Sequence, residues 1–402
     1  MQFRDPEKKN ISNRIINIAI LAVSIGITII IIALLTGKGL QEKIKSKTTA
    51  FNGHISITPF ENNESQISVL PFKDDFNLKK TIKKNKGINI INSVAFDGVI
   101  LKNKNDFEGG LFKGVNSDYT WNIIKDFLVE GKYPSIDKNE ISNEIILSKS
   151  LANRLSIELG NTIDLYFQNL NNINLPYRSR FKIVGLFSSG FPEIDNNLIY
   201  GDIDQIRRVK KWDKNMIGGY EIFIDNIYNS DQVSERIYNQ LPPNLDSLSI
   251  IKRFKSIFQW IALFDFNILI ILIIVIIVSL VNLSTALLIL IFEKSKMISI
   301  LKTMGLNNII IKKIFLWNGL LIILKGLLIG NFFGLMFFVI QKKYGFIKLD
   351  PQTYFVEIAP VIFDFNNIFY ANILFVIICV IMLWIPLNII LKISPSKVLR
   401  FR

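Results

Sequence analysis

The stretch FEKSKMISILKTMGLNN, residues 292–308, lies between two long apolar runs. On a helical wheel Met297, Ile300, Leu301 and Met304 form one stripe, with Ser295, Ser299 and Lys302 opposite. Gly305, with two asparagines close behind, supplies a helix stop. The spacing predicts a short amphipathic helix with a basic flank. Such a helix either lies on the membrane surface with its lysines on anionic headgroups, or seats its stripe in a groove of a partner. Methionine suits such a groove because its side chain is flexible and polarizable.

The flanking runs decide the class. Residues 15–37, 266–292 and 368–391 carry no charged side chain, and 314–341 carries only Lys325. Each exceeds the roughly 20 residues that cross a hydrocarbon core. Four transmembrane helices are therefore predicted in a chain of 402 residues that is 50% hydrophobic. The first run follows a basic start but is too long for a cleaved signal and lacks a small-x-small site, so it is read as a retained anchor.

A formal charge of +14 invites a nucleic-acid reading, but the charge is localised. Segments 1–14, 293–313 and 392–402 hold four, five and four basic residues against two, one and no acidic ones, whereas 38–265 holds 30 against 27. By the positive-inside rule both termini and the loop 293–313 are cytoplasmic, and 38–265 and 342–367 lie outside. No nucleic-acid partner is expected.

Segment 38–265 reads as a helical extension (GLQEKIKSKTTAF), a turn at Asn52-Gly53 and a strand from His54 to Phe60. Short strand patterns follow over 87–116. EIILSKSLANRLSIELGNTIDLYF (144–167) reads strand, helix, turn, strand; RFKIVGLF and EIFID are strands; GDIDQIRRVKKW is a helix capped by Asp202. The mixture predicts one or two α+β subdomains between the first and second membrane helices. The Asn- and Lys-rich stretches 61–86 and 168–174 read as exposed loops. The only cysteine, Cys379, falls in the fourth helix, and the only histidine, His54, reads as a structural strand residue, so Cys/His zinc sites and disulfides are excluded. The sequence has no G-x-x-x-x-G-K-[ST] loop, H-E-x-x-H or G-x-S-x-G motif. The chain is expected to bind no cofactor or metal and to carry no catalytic residues.

Gly319, Gly326, Gly330 and Gly334 share one face of the third membrane helix, and Ala22 and Gly26 make a smaller face on the first. Small residues let helix backbones approach closely, within one subunit or at a subunit interface or lipid gate. Lys325 is too central for simple snorkelling, so a partner is expected in a second subunit, a water-filled cavity or a substrate headgroup.

VNLSTALLILIFEKSKMISILKTMGLNNIIIKKIFLWNGLLI (281–322) resembles the signature of the MacB/FtsX superfamily of ABC transporter permeases: an acid-basic pair, an I-x-I-L-[KR]-[TA]-x-G helix, then a basic residue and an aromatic-rich helix. The likeness extends to SIGITIIIIALLTGKGLQEKI, GHISI, FKIVGLFSSGFPEIDNNLIYGDIDQIRRV, TYFVEIAPVIFDFNNIFYA and ISPSKVLRF, which are similar to the lipoprotein-releasing branch of the LolC/LolE type. The resemblance implies an α-helical membrane protein with four transmembrane helices and a large α+β periplasmic domain between helices one and two, in the bacterial inner membrane. It implies two permease subunits, from the same or a homologous chain, and two copies of an ABC ATPase that holds the ATP and Mg. The coupling helix seated on that ATPase would comprise Glu293, Lys294, Met297, Ile300, Leu301, Lys302, Met304 and Gly305. The substrate would be a membrane lipoprotein passed to a periplasmic carrier, hooked by a hairpin carrying Pro176, Arg178 and Arg180. The alternatives are a MacB-like efflux permease, or an FtsX-like mechanotransmission subunit that regulates a periplasmic hydrolase. A membrane-anchored adhesin or enzyme is disfavoured by the missing catalytic residues and by four spans where one would suffice.

Overall fold

The computed structural model describes residues 6–63, 65–103, 106–168, 176–354 and 356–392; residues 6–13, 352, 391 and 392 are described in backbone only. The chain divides into two compact units, Met1–Glu42 with Ile261–Lys348 and Ile358–Arg402, and Lys43–Trp260 with Leu349–Glu357.

The first unit is helical. It is built from α1 (Pro6–Asn52, which continues into the second unit), α2 (Lys255–Glu293), the short α3 (Ser295–Thr303), α4 (Asn308–Tyr344) and α5 (Phe365–Leu387). Four of these, α1, α2, α4 and α5, are long and apolar enough to cross a membrane. The helices run past the apolar blocks of the sequence because hydropathy marks contact with lipid, whereas helix ends need a cap or breaker. At α4 that end is Gly345, whose φ of +57° turns the chain while its N–H bonds the Gln341 carbonyl at 2.8 Å. The apolar run 368–391 is not one helix to its end: α5 stops at Leu387, just after Pro386, and a separate turn, Ile389–Lys392, follows. Proline's missing N–H weakens the ladder there.

Val23, Ile27, Ile31, Leu283, Leu287, Phe315, Ile323, Phe375 and Leu383 fill the bundle interior. Large apolar residues such as Ile274, Leu328 and Phe332 face outward, as expected of helices whose solvent is lipid. Inside, α4 and α5 exchange a reciprocal amide pair, Asn331 Nδ2 to Asn372 Oδ1 and Asn372 Nδ2 to Asn331 Oδ1, each 3.0 Å.

The second unit contains β1 (Ile55–Pro59), β2 (Phe72–Lys73), β3 (Ile88–Asn103), β4 (Asp106–Val115), β5 (Leu128–Gly131), β6 (Glu144–Ser148), β7 (Thr162–Phe167), β8 (Tyr177–Phe187), β9 (Leu198–Asp202), β10 (Met216–Ile217), β11 (Gly219–Ile224) and β12 (Leu245–Ser249). The pairings β3–β4, β4–β9, β9–β6, β6–β8, β8–β7 and β7–β3 close a six-stranded circuit. β11, β1 and β12 extend the sheet from β3. Phe112, Phe167 and Phe181 meet inside it, with ring centroids 5.3 to 6.3 Å apart. Closure gives each of those six strands a neighbour on both sides over part of its length and makes one compact unit where the sequence allowed two.

Two expectations for this domain are corrected. The short strands expected over 87–116 merge into one long hairpin, because Gly98 lies within β3 and does not end it. Residues 61–86, expected as an exposed loop, hold a 3-10 turn, β2 and the helix Phe76–Lys83. The buried Asn62 organises them: its Oδ1 accepts from the N–H groups of Val69 and Leu70 at 2.8 and 3.0 Å. The helix Ile203–Lys210 does begin at Asp202, whose carboxylate accepts from Asp204 N at 2.9 Å.

Candidate functional site

The segment that opened the sequence reading becomes α3. The chain bends at Lys294 after α2 and stops after Thr303, and Gly305, at φ +84°, reverses it toward α4, where Asn307 caps the helix. The Leu306 N–H returns to the Leu301 carbonyl at 3.0 Å, the closing bond of a glycine-ended helix. The helix and its stop are thus those the residues encode.

Its orientation leaves most of the apolar stripe outside the bundle. The fully buried residues are Ile298 and Ser299, not the methionine stripe. Lys302, on the polar side, is half-buried and donates from Nζ to the Ile390 carbonyl at 2.6 Å. The apolar residues Met297, Ile300 and Met304 are exposed, Met304 at 75%, and only Leu301 leans on the bundle. Glu293 and Lys294 are exposed and pair loosely at 3.7 Å. An apolar ridge facing away from the protein's own core is the reverse of what a self-packed surface helix shows. Periodicity reveals two faces; it does not say which one the bundle covers.

The glycine face packs within the chain. A Cβ on Gly326 would lie 2.6 Å from Val23 Cγ1, on Gly330 2.7 Å from the Ser24 carbonyl, and on Gly334 2.7 Å from Ile31 Cγ2, all on α1; on Gly319 it would lie 2.7 Å from Leu383 of α5. Thr28 Oγ1 donates to the Gly330 carbonyl at 3.2 Å. Gly26 faces Ser279 of α2, and Ala22 is half-buried. Lys325 points outward from the bundle, and no partner for it occurs among the described residues.

In the domain, Arg178 and Arg180 lie on β8, which pairs antiparallel with β7, and Pro176 immediately precedes that strand. Both arginines bind Asp164 on β7, at 2.6 and 3.0 Å. The Arg180 hydrogen bond, reinforced by Arg178, holds the Asp164 carboxyl below its ordinary range. The rest of the expected hook, 169–175, and the C-terminal ISPSKVLRF lie outside the described residues.

One constellation carries no signal in the sequence. Lys113 on β4 is completely buried, 2.7 Å from Glu221 Oε1 on β11 and 2.8 Å from the Phe51 carbonyl at the end of α1. Burial pushes its ammonium pKa down, against Glu221, which pushes it up. The alternation LFKGV gave no warning, since β4 is buried on both faces here.

Four membrane helices with an α+β domain inserted between the first two, and a short amphipathic helix that keeps its apolar ridge exposed, define the class: a polytopic membrane protein with a large inserted domain. The chain belongs to the MacB/FtsX permease family, matching the MacB-like periplasmic core domain over residues 18–240 and the FtsX-like permease C-terminal domain over 269–395. It is 28% identical to the lipoprotein-releasing system transmembrane protein LolC of Buchnera aphidicola (subsp. Schizaphis graminum), over 98% of this chain and 96% of that one. Identity to the LolE protein of Haemophilus influenzae is 22%, again over 98% and 96%. The periplasmic region of MacB from Actinobacillus actinomycetemcomitans superposes with a TM-score of 0.34 at 13% identity, covering 50% of this chain and 91% of that one.

Proposed function

We propose that this chain is the permease subunit of an ABC-type complex that releases lipoproteins from the inner membrane, with a separate ATPase binding ATP and Mg. The observation that carries the coupling is the exposed ridge Met297, Ile300 and Met304 on a helix whose polar Ser299 is turned into its own bundle. Relatives named for lipoprotein release align with nearly the whole chain, which favours that substrate over efflux or hydrolase regulation.

In this reading α3 lies on the cytoplasmic side and is held to the bundle by Ile298 and Lys302, while the ridge seats in a groove of the ATPase. Closure of two ATPases moves two such helices, and α1 and α2 carry the movement into the domain. The work is needed because each buried CH₂ of an acyl chain holds a lipoprotein by about 0.8 kcal/mol. The second permease subunit completes the pathway, and the β7–β8 end of the domain meets the carrier.

Met297→Asp and Ile300→Asp place a charge on exposed positions, so insertion and folding are expected to survive. Co-purification of the ATPase should fall at least tenfold, equivalent to about 1.4 kcal/mol or more. Undiminished association in both variants would contradict the coupling assignment.

A further inference from the structure

The last turn of α1 is held in the domain by two kinds of contact. The Phe51 ring packs on Phe127 and Phe187, with centroids at 5.1 and 5.5 Å. The Phe51 carbonyl accepts the hydrogen bond from Lys113 Nζ. Apolar contact is non-directional and lets a helix end slide or turn; a charge-assisted hydrogen bond to the negative end of a helix fixes direction.

The pair behind that bond bridges three strands. Lys113 on β4 lies opposite Phe96 of β3, and Glu221 on β11 lies opposite Asn92 of β3, so the ion pair reaches across the intervening strand. The ammonium is ringed by Tyr200, Phe96 and Tyr119 at 5.0, 5.6 and 5.8 Å. Gly53, at φ +71°, then turns the chain against the same residue: a Cβ there would sit 3.2 Å from Glu221 Cβ. Burying two charges gives little net stability over an apolar pair of similar volume, so the contribution lies in geometry.

We propose that Lys113 and Glu221 are positioning residues, a rivet that locks the end of α1 to the sheet so that tilt or rotation of α1 is delivered to the domain. The proposal rests on the transport reading above. Its test uses the complete complex with its ATPase, with spin labels on cysteines replacing the exposed Lys138 and Lys343; the buried Cys379 stays unlabelled. Distances are measured with and without ATP plus vanadate.

Trapping should shift the distance in the parent protein. Lys113→Met alone leaves Glu221 buried without its partner and should lower the melting temperature. Lys113→Met with Glu221→Leu should restore the melting temperature and keep ATP hydrolysis within about twofold, yet lose more than half of the distance shift. A full shift in the folded double variant, or no shift in the parent, would overturn the rivet. Absence of lipoprotein release by the parent complex would instead refute the substrate reading, leaving the distance measurement to judge the rivet.

Discussion

His54 shows how burial sets the chemistry of a single side chain. Its Nδ1 accepts from Ile224 N at 3.3 Å, and its ring stands edge-on to Phe223. Burial pushes its pKa down to about 4, so the folded chain holds the ring neutral while the unfolded chain protonates it near 6.5. Stability present above 6.5 is therefore lost as pH falls from 6.5 to 4, by on the order of 3 kcal/mol in total. Thermal unfolding of His54→Gln at pH 7.5 and 4.5 should show a smaller difference than the parent chain. The glycines divide by environment in the same way. Gly330→Ala meets the Ser24 carbonyl and should cost about 1 to 3 kcal/mol. Gly305→Ala meets nothing and should cost only the left-handed penalty, about 1 kcal/mol. The glycine spacing was legible in the sequence; the partner that fills each notch was not, because it comes from another helix, α1 for Gly326, Gly330 and Gly334 and α5 for Gly319.

Single elements were read best where local chemistry decides them. The Asp202 cap and the Gly305 stop follow from the residues themselves. The facing of α3 does not: it depends on Ile298 finding the bundle and on Lys302 reaching a carbonyl of a distant turn. Asn62 was hidden by composition, since a run rich in asparagine and lysine looks solvated until one amide proves to be the organiser. Asn331 and Asn372 gave no signal because each is an uncharged polar residue inside an apolar block, and only the packing of α4 on α5 joins them. Either asparagine changed to leucine leaves the other amide only its own-helix bond, Asn331 to the Leu327 carbonyl or Asn372 to the Ile368 carbonyl. A double-mutant cycle on unfolding should give a coupling of about 1 kcal/mol; additive effects would mean that the amides do not pair in the membrane.

For the whole molecule, the charge distribution and the four apolar blocks were enough to place a domain between the first two spans. Closure of its sheet was not legible, because β3 alone pairs with β4, β7 and β11, and nothing local specifies those partners. The same non-local pairing puts Lys113, Glu221 and the end of α1 together. Transport by this design requires α3 and the sheet domain to lie on opposite sides of the bilayer. The direct test labels Met304→Cys and Lys138→Cys, both at exposed positions, with a membrane-impermeant maleimide on spheroplasts. Position 138 should react at once and position 304 only after permeabilisation. Equal labelling of both in sealed spheroplasts would contradict the account.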